Sequence, residues 1–118
     1  MVKYLLLILT AVSGALSDSI GPNEKETNVM SREGESMRLS CSFESSSNYV
    51  LLYWFRQNPD GELQYLLYKG ARSWSSKEDH SEDRFQSIAA YSSTELNTAE
   101  AALSDSALYY CAVKSRLY

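Results

Sequence analysis

Asp105-Ser106-Ala107-Leu108-Tyr109-Tyr110-Cys111-Ala112-Val113 alternates with the period of a β-strand: Ala107, Tyr109, Cys111 and Val113 fall on one face, Leu108, Tyr110 and Ala112 on the other. Both faces are apolar. A strand covered on both sides needs something packed on its outer face, which points to a partner subunit. Upstream, Met37, Leu39, Cys41 and Phe43 alternate with Arg38, Ser40 and Ser42, so Cys41 also points into a core. Between the cysteines, Leu52, Trp54 and Arg56 share one face and Tyr53, Phe55 and Gln57 the other; Trp54 is the natural inward anchor.

The remaining signals are short strands and turns. Asn58 to Gly61 reads as a turn, because proline fixes φ, aspartate bonds its own backbone and glycine tolerates φ above zero. A strand is expected at Leu63 to Tyr68. The polar stretch Lys69 to Ser81, with Gly70 and Trp74, reads mostly as loop and edge. Weaker strand signals follow at Arg84 to Tyr91 and near Thr94 to Thr98, around a serine-rich turn at Ser92 and Ser93. Many short strands with regular turns and no helical period predict an all-β sandwich. There is no internal repeat.

At the amino end, Lys3, the apolar run Tyr4 to Leu9 and the small residues Ser13, Gly14, Ala15 and Ser17 have the composition of a secretory leader. Residues 1–17 are expected to be removed, with Ala15 as a second cleavage point and Asp18 as the expected new terminus. No later stretch approaches the roughly 20 apolar residues of a membrane helix. The 118 residues less this leader hold one domain, 18–118. Ten basic against fifteen acidic residues then give it a net charge of −5, which argues against a phosphate backbone as ligand, so nucleic acid is not an expected partner. Two cysteines behind a leader favour a disulfide over a metal site. Closing Cys41 to Cys111, 70 positions apart, removes about 4 to 5 kcal/mol of denatured-state entropy on the chain-entropy model. No Asn starts a glycosylation triplet.

Cys41, Trp54 thirteen positions later, and Asp105-Ser106-Ala107-Leu108-Tyr109-Tyr110-Cys111 together resemble the immunoglobulin variable (V-type) family over nearly all of 18–113. The resemblance implies a V-type β-sandwich in which Trp54 packs with Leu39 and Tyr109 on a Cys41–Cys111 bridge between sheets. It implies that the Tyr109 hydroxyl bonds backbone upstream, and that Arg84 and Asp105 form a charge-assisted pair at the base. Within the family, Trp54-Phe55-Arg56-Gln57 and Ala107 to Val113 are similar to T-cell receptor alpha variable segments. The sequence shows no Phe-Gly-x-Gly after Cys111, so the resemblance further implies a germline segment lacking its last, joining-segment strand, with an exposed sheet edge beside Tyr109 and Tyr110. Thr98 and Ala101, in a strand expected from Leu96 to Leu103, are smaller than the family usually carries there, and Glu100 replaces a frequent turn glycine.

The implied function is antigen recognition. Chain pairing with a receptor beta chain falls to Tyr53, Gln57, Leu63 and Tyr110 on the outer face, with Gln57 bonding its counterpart. Peptide held by a major histocompatibility molecule falls to three loops: Ser45 to Leu51, with Ser47, Asn48 and Tyr49; about Lys69 to Trp74, with Lys69, Arg72 and Trp74; and the start of the third, Ala112 to Tyr118, with Lys114. Tyr49 and Trp74 are the expected anchors. The resemblance also implies signalling subunits reached through a constant region, delivery to the plasma membrane, and no cofactor. An alternative on the same fold is a nonrearranging V-type innate or adhesion receptor.

An enzymatic reading starts from His80, the single histidine, with Asp79 and Asp83 nearby. It fails for want of a nucleophile motif such as GxSxG in the charged run Ser76 to Asp83. The same run lacks the spacing and glycine of a calcium loop at Glu78, Asp79, Glu82 and Asp83.

Overall fold

The computed structural model describes residues 2–8, 18–22, 28–31, 33–58 and 60–116. In chain order the strands are β1 (Val2–Ile8), β2 (Ser19–Pro22), β3 (Asn28–Ser31), β4 (Met37–Glu44), β5 (Tyr49–Gln57), β6 (Leu63–Arg72), β7 (Glu78–His80), β8 (Phe85–Ala89), β9 (Ser93–Thr98) and β10 (Leu108–Arg116). They form two sheets, β3-β1-β10-β5-β6-β7 and β2-β4-β9-β8. All pairings are antiparallel except β1 with β10. Among the described residues no helix is long and apolar enough to cross a membrane.

The alternation in the sequence becomes the core. Met37, Leu39, Cys41 and Phe43 of β4 face Val50, Leu52 and Trp54 of β5 and Tyr109, Cys111 and Val113 of β10, all buried. Each fully buried large side chain contributes about 1.5 to 3 kcal/mol. The Cys41–Cys111 disulfide joins one sheet to the other. Trp54 has no exposed surface, and its indole N–H donates to Thr94 Oγ1 of the opposite sheet at 3.2 Å.

Strand β6 departs from strict alternation. Phe55 pairs with Tyr65 and Trp54 with Leu67, so Leu66 is an extra residue, a β-bulge. Without it Tyr65 and Leu67 would share a face. With it Leu66 and Leu67 are both fully buried while Tyr65 and Tyr68 both stay partly exposed. The freed carbonyls are satisfied: Ser81 Oγ donates to Tyr65 O at 2.7 Å and Leu66 O at 3.0 Å, and the Ser81 amide donates to Leu66 O.

Two expectations are corrected. Lys69 to Arg72 is strand, not loop, because it pairs with Tyr49 to Leu52 of β5. The turn at 73–76 then folds back so tightly that a Cβ at Gly70 would lie 1.9 Å from the Trp74 carbonyl oxygen. The strand expected to reach Leu103 ends at Thr98. Ala101 instead exchanges backbone bonds with the turn before β4, receiving from Gly34 and donating to Glu35, and a single 3-10 turn follows at Leu103–Asp105. In this structure β1, which lies within the expected leader 1–17, runs parallel to β10 along Leu108–Cys111, with Leu5 opposite Leu108 and Ile8 opposite Cys111; the exposed edge is the expectation for the chain after that leader is removed. An unpaired ladder next to an apolar extended segment is a template for such pairing. The expected cleavage points at Ala15 and Ser17 lie outside the described residues.

Candidate functional site

The base of the domain is organised around Asp105, whose side chain is fully buried. Arg84 donates to it twice, Nη1 to Oδ1 at 3.0 Å and Nη2 to Oδ2 at 2.7 Å, and the Ala102 amide adds a bond at 2.8 Å. Burial pushes the carboxyl up, but the Arg84 bonds and the Ala102 amide outweigh it, leaving Asp105 below the ordinary carboxylate value. The Tyr109 hydroxyl donates to the Asp105 carbonyl at 2.7 Å, and burial raises its pKa. Arg56 is a member that sequence reasoning passed over: it reaches Asp105 Oδ1 at 3.4 Å and Gln64 Oε1 at 2.7 Å. The signal was present, since an arginine on an inward face requires an acid.

The outer face of β5, β6 and β10 is aromatic. Tyr53 lies 5.3 Å from Tyr68 and 6.2 Å from Phe55 between ring centroids, and Phe55 lies 5.9 Å from Tyr65. Burial raises the Tyr65 hydroxyl's pKa, helped by its bond to Asp79 Oδ2 at 2.8 Å; burial likewise raises that of Tyr53. Leu63 stands at one end, 51% exposed. Gln57 is already engaged within its own chain, accepting from the Tyr110 hydroxyl at 2.9 Å and donating to the Gly61 carbonyl at 3.2 Å. Of this face, Tyr53, Gln57, Leu63 and Tyr110 were expected to pair with a partner and Phe55 was placed on it by alternation; Tyr65 and Tyr68 were not named. The bulge hid Tyr68: alternation from Leu63 carries Tyr65 to this face but would turn Tyr68 to the other.

At the opposite end the loops converge. Ser47 is buried in the turn between β4 and β5; its Oγ accepts from the Tyr49 amide and donates to the Arg116 carbonyl at the end of β10. The Ser73 amide donates to the Asn48 carbonyl at 2.9 Å, and the Tyr49 and Trp74 rings lie 5.4 Å apart, with Lys77 Nζ 5.3 Å from the indole. Arg72 is not directed at solvent: Nη1 donates to the carbonyls of Ser45 and Ser47. Lys69 lies back in the β6 ladder, paired to Glu78 at 3.1 Å, whereas Lys114 is exposed on β10. His80 Nδ1 is 3.2 Å from the Phe85 carbonyl, and Ser81 Oγ is held by the bulge. Among the described residues no group of three or more His, Cys, Asp or Glu is disposed to hold a metal.

Comparison with known proteins agrees with this geometry. Residues 24–118 match the immunoglobulin V-set domain. The chain is 30% identical to human (Homo sapiens) T cell receptor alpha variable 3, over 93% of each chain. It is 26% identical to human T cell receptor alpha variable 38-2/delta variable 8, over 95% of this chain and 94% of the relative. It is also 27% identical to human T cell receptor beta variable 7-2, over 93% and 95%. Its two bridged sheets and its match over most of its length establish that the chain belongs to the immunoglobulin V-set family.

Proposed function

We propose that this chain is the variable region of a T-cell receptor alpha chain, which recognises antigen and carries out no chemistry. Residues 1–17 serve as its secretory leader, and the domain is delivered to the cell surface. Its outer aromatic face packs on the variable domain of a receptor beta chain, and the loops at the far end dock on peptide presented by a major histocompatibility molecule. Constant-region contacts with signalling subunits follow from the same reading.

The observation that carries the proposal is the outer face. Tyr53, Phe55, Tyr65, Tyr68 and Tyr110 form one aromatic surface with half-exposed Leu63 beside it. Aromatic residues dominate the energetics of protein interfaces, and a charged base or a catalytic cleft would need no such surface. The alpha and beta variable relatives support the choice of partner.

The test is co-expression in T cells lacking their own receptor. The chain, fused to a joining segment and an alpha constant region, is paired with a panel of beta chains, and receptor at the cell surface is counted by flow cytometry. Surface receptor that requires a beta chain, and that falls at least roughly tenfold in Tyr53→Glu, is the expected outcome. Surface display independent of any beta chain would instead support the nonrearranging V-type receptor and sink this proposal.

A further inference from the structure

Arg72 is the single non-glycine residue with a left-handed backbone among the described residues, at φ 58°. Such a conformation persists where surrounding contacts over-determine it. Its backbone lies opposite Tyr49 in the β5–β6 ladder and its carbonyl accepts from the Ser75 amide at 3.1 Å; its side chain adds further contacts. Nη1 donates to the carbonyls of Ser45 and Ser47, each at 2.6 Å, and Nε donates to the carbonyl of Tyr91 at 3.0 Å. The guanidinium also lies 4.0 Å from the Tyr91 ring centroid and 5.3 Å from that of Phe43.

All three acceptors are backbone carbonyls, so the cation is used to gather chain segments and not to answer a surface acid. Through it β6 grips the turn after β4 and the turn between β8 and β9. Ser47 extends the linkage, since its hydroxyl donates onward to the Arg116 carbonyl at the end of β10. One planar cation, with donors diverging in a fixed fork, thereby ties four segments together, a geometry that a lysine ammonium cannot reproduce.

We propose that Arg72 is a positioning residue that locks the first loop and the Tyr91 turn against β6, so that the loop end is presented preformed. The recognition role of that end rests on the function proposed above; the locking does not. Preformed loops bind with less ordering cost, which would make Arg72 a determinant of affinity without contact to ligand.

The test is amide hydrogen exchange on the folded, disulfide-bonded chain. Arg72→Gly removes the clamp while keeping the left-handed backbone allowed. The reporters are the amides of Tyr49, Ser73 and Phe43, which donate to Ser47 Oγ, the Asn48 carbonyl and the Ser92 carbonyl. Their exchange should accelerate roughly tenfold or more, with Trp54, Leu96 and Cys111 unchanged. Arg72→Lys should fall between. Unchanged reporters would overturn the proposal, as would uniform acceleration that includes the core strands, which marks general destabilisation. Because no partner enters the measurement, its failure is distinct from failure of beta-chain pairing.

Discussion

Asp105 shows how one side chain ties sequence to stability. Its carboxylate is fully buried and touches Arg84, Arg56 and the Ala102 amide, while its own carbonyl receives Tyr109. Arg84 is 44% exposed and can turn to water, but removing the carboxylate leaves the largely buried Arg56 without its acid, at a cost of about 3 kcal/mol. Asp105→Asn is therefore expected to lower the unfolding free energy at pH 7 by about that amount in urea denaturation. The pH dependence has a definite sign. The folded carboxyl titrates below its ordinary value of 3.8, so its contribution is complete well above that pH and is lost as pH falls through the folded value. Wild-type stability should thus decline on acidification below about pH 4, and Asp105→Asn should lack that component. Arg84 and Asp105 could be matched from the family resemblance; Arg56, on an inward face, called for an acid, but only the fold shows that the acid is Asp105, 49 positions away.

Elements differed in how much the sequence disclosed of them, and the reason is periodicity. In β4, in β5 as far as Trp54 and in β10 from Tyr109 to Val113 every second residue is apolar and buried, so the inner face was readable directly. In β6 the adjacent Leu66 and Leu67 break the two-residue period, so alternation from Leu63 reaches Tyr65 but assigns Tyr68 to the wrong face. The extent of β6 was also missed, because Lys69, Gly70 and Arg72 have the composition of a loop while their ladder partners in β5 are strongly strand-forming. The bulge itself depends on Ser81, whose hydroxyl and amide answer its two carbonyls. Ser81→Ala removes the hydroxyl bonds and should cost about 1 kcal/mol. In thermal unfolding that is a fall in Tm of roughly 4 to 8 °C for a domain of this size.

At the scale of the whole molecule, two sheets are pinned by one disulfide and each presents a different surface: a serine-rich one on β4 and an aromatic one on β5, β6 and β10. The sandwich and its bridge were legible because both are written in local alternation around Cys41, Trp54 and Cys111. The pairing of β1 along β10 was not, because parallel neighbours remote in sequence leave no local signature. The supernumerary leucine of β6 also sets how the domain answers a change in chain length. Shortening a strand by one residue ordinarily turns all that follows to the wrong face, as removing Leu52 would do to one flank of β5. Deleting Leu66 is the exception. The ladder regains its two-residue period, Leu67 still meets Trp54 and Tyr65 still meets Phe55. The loss is one core leucine, about 2 to 5 kcal/mol. A chain shortened there should fold less stably in denaturant titration yet keep its aromatic face, whereas one shortened at Leu52 should not fold.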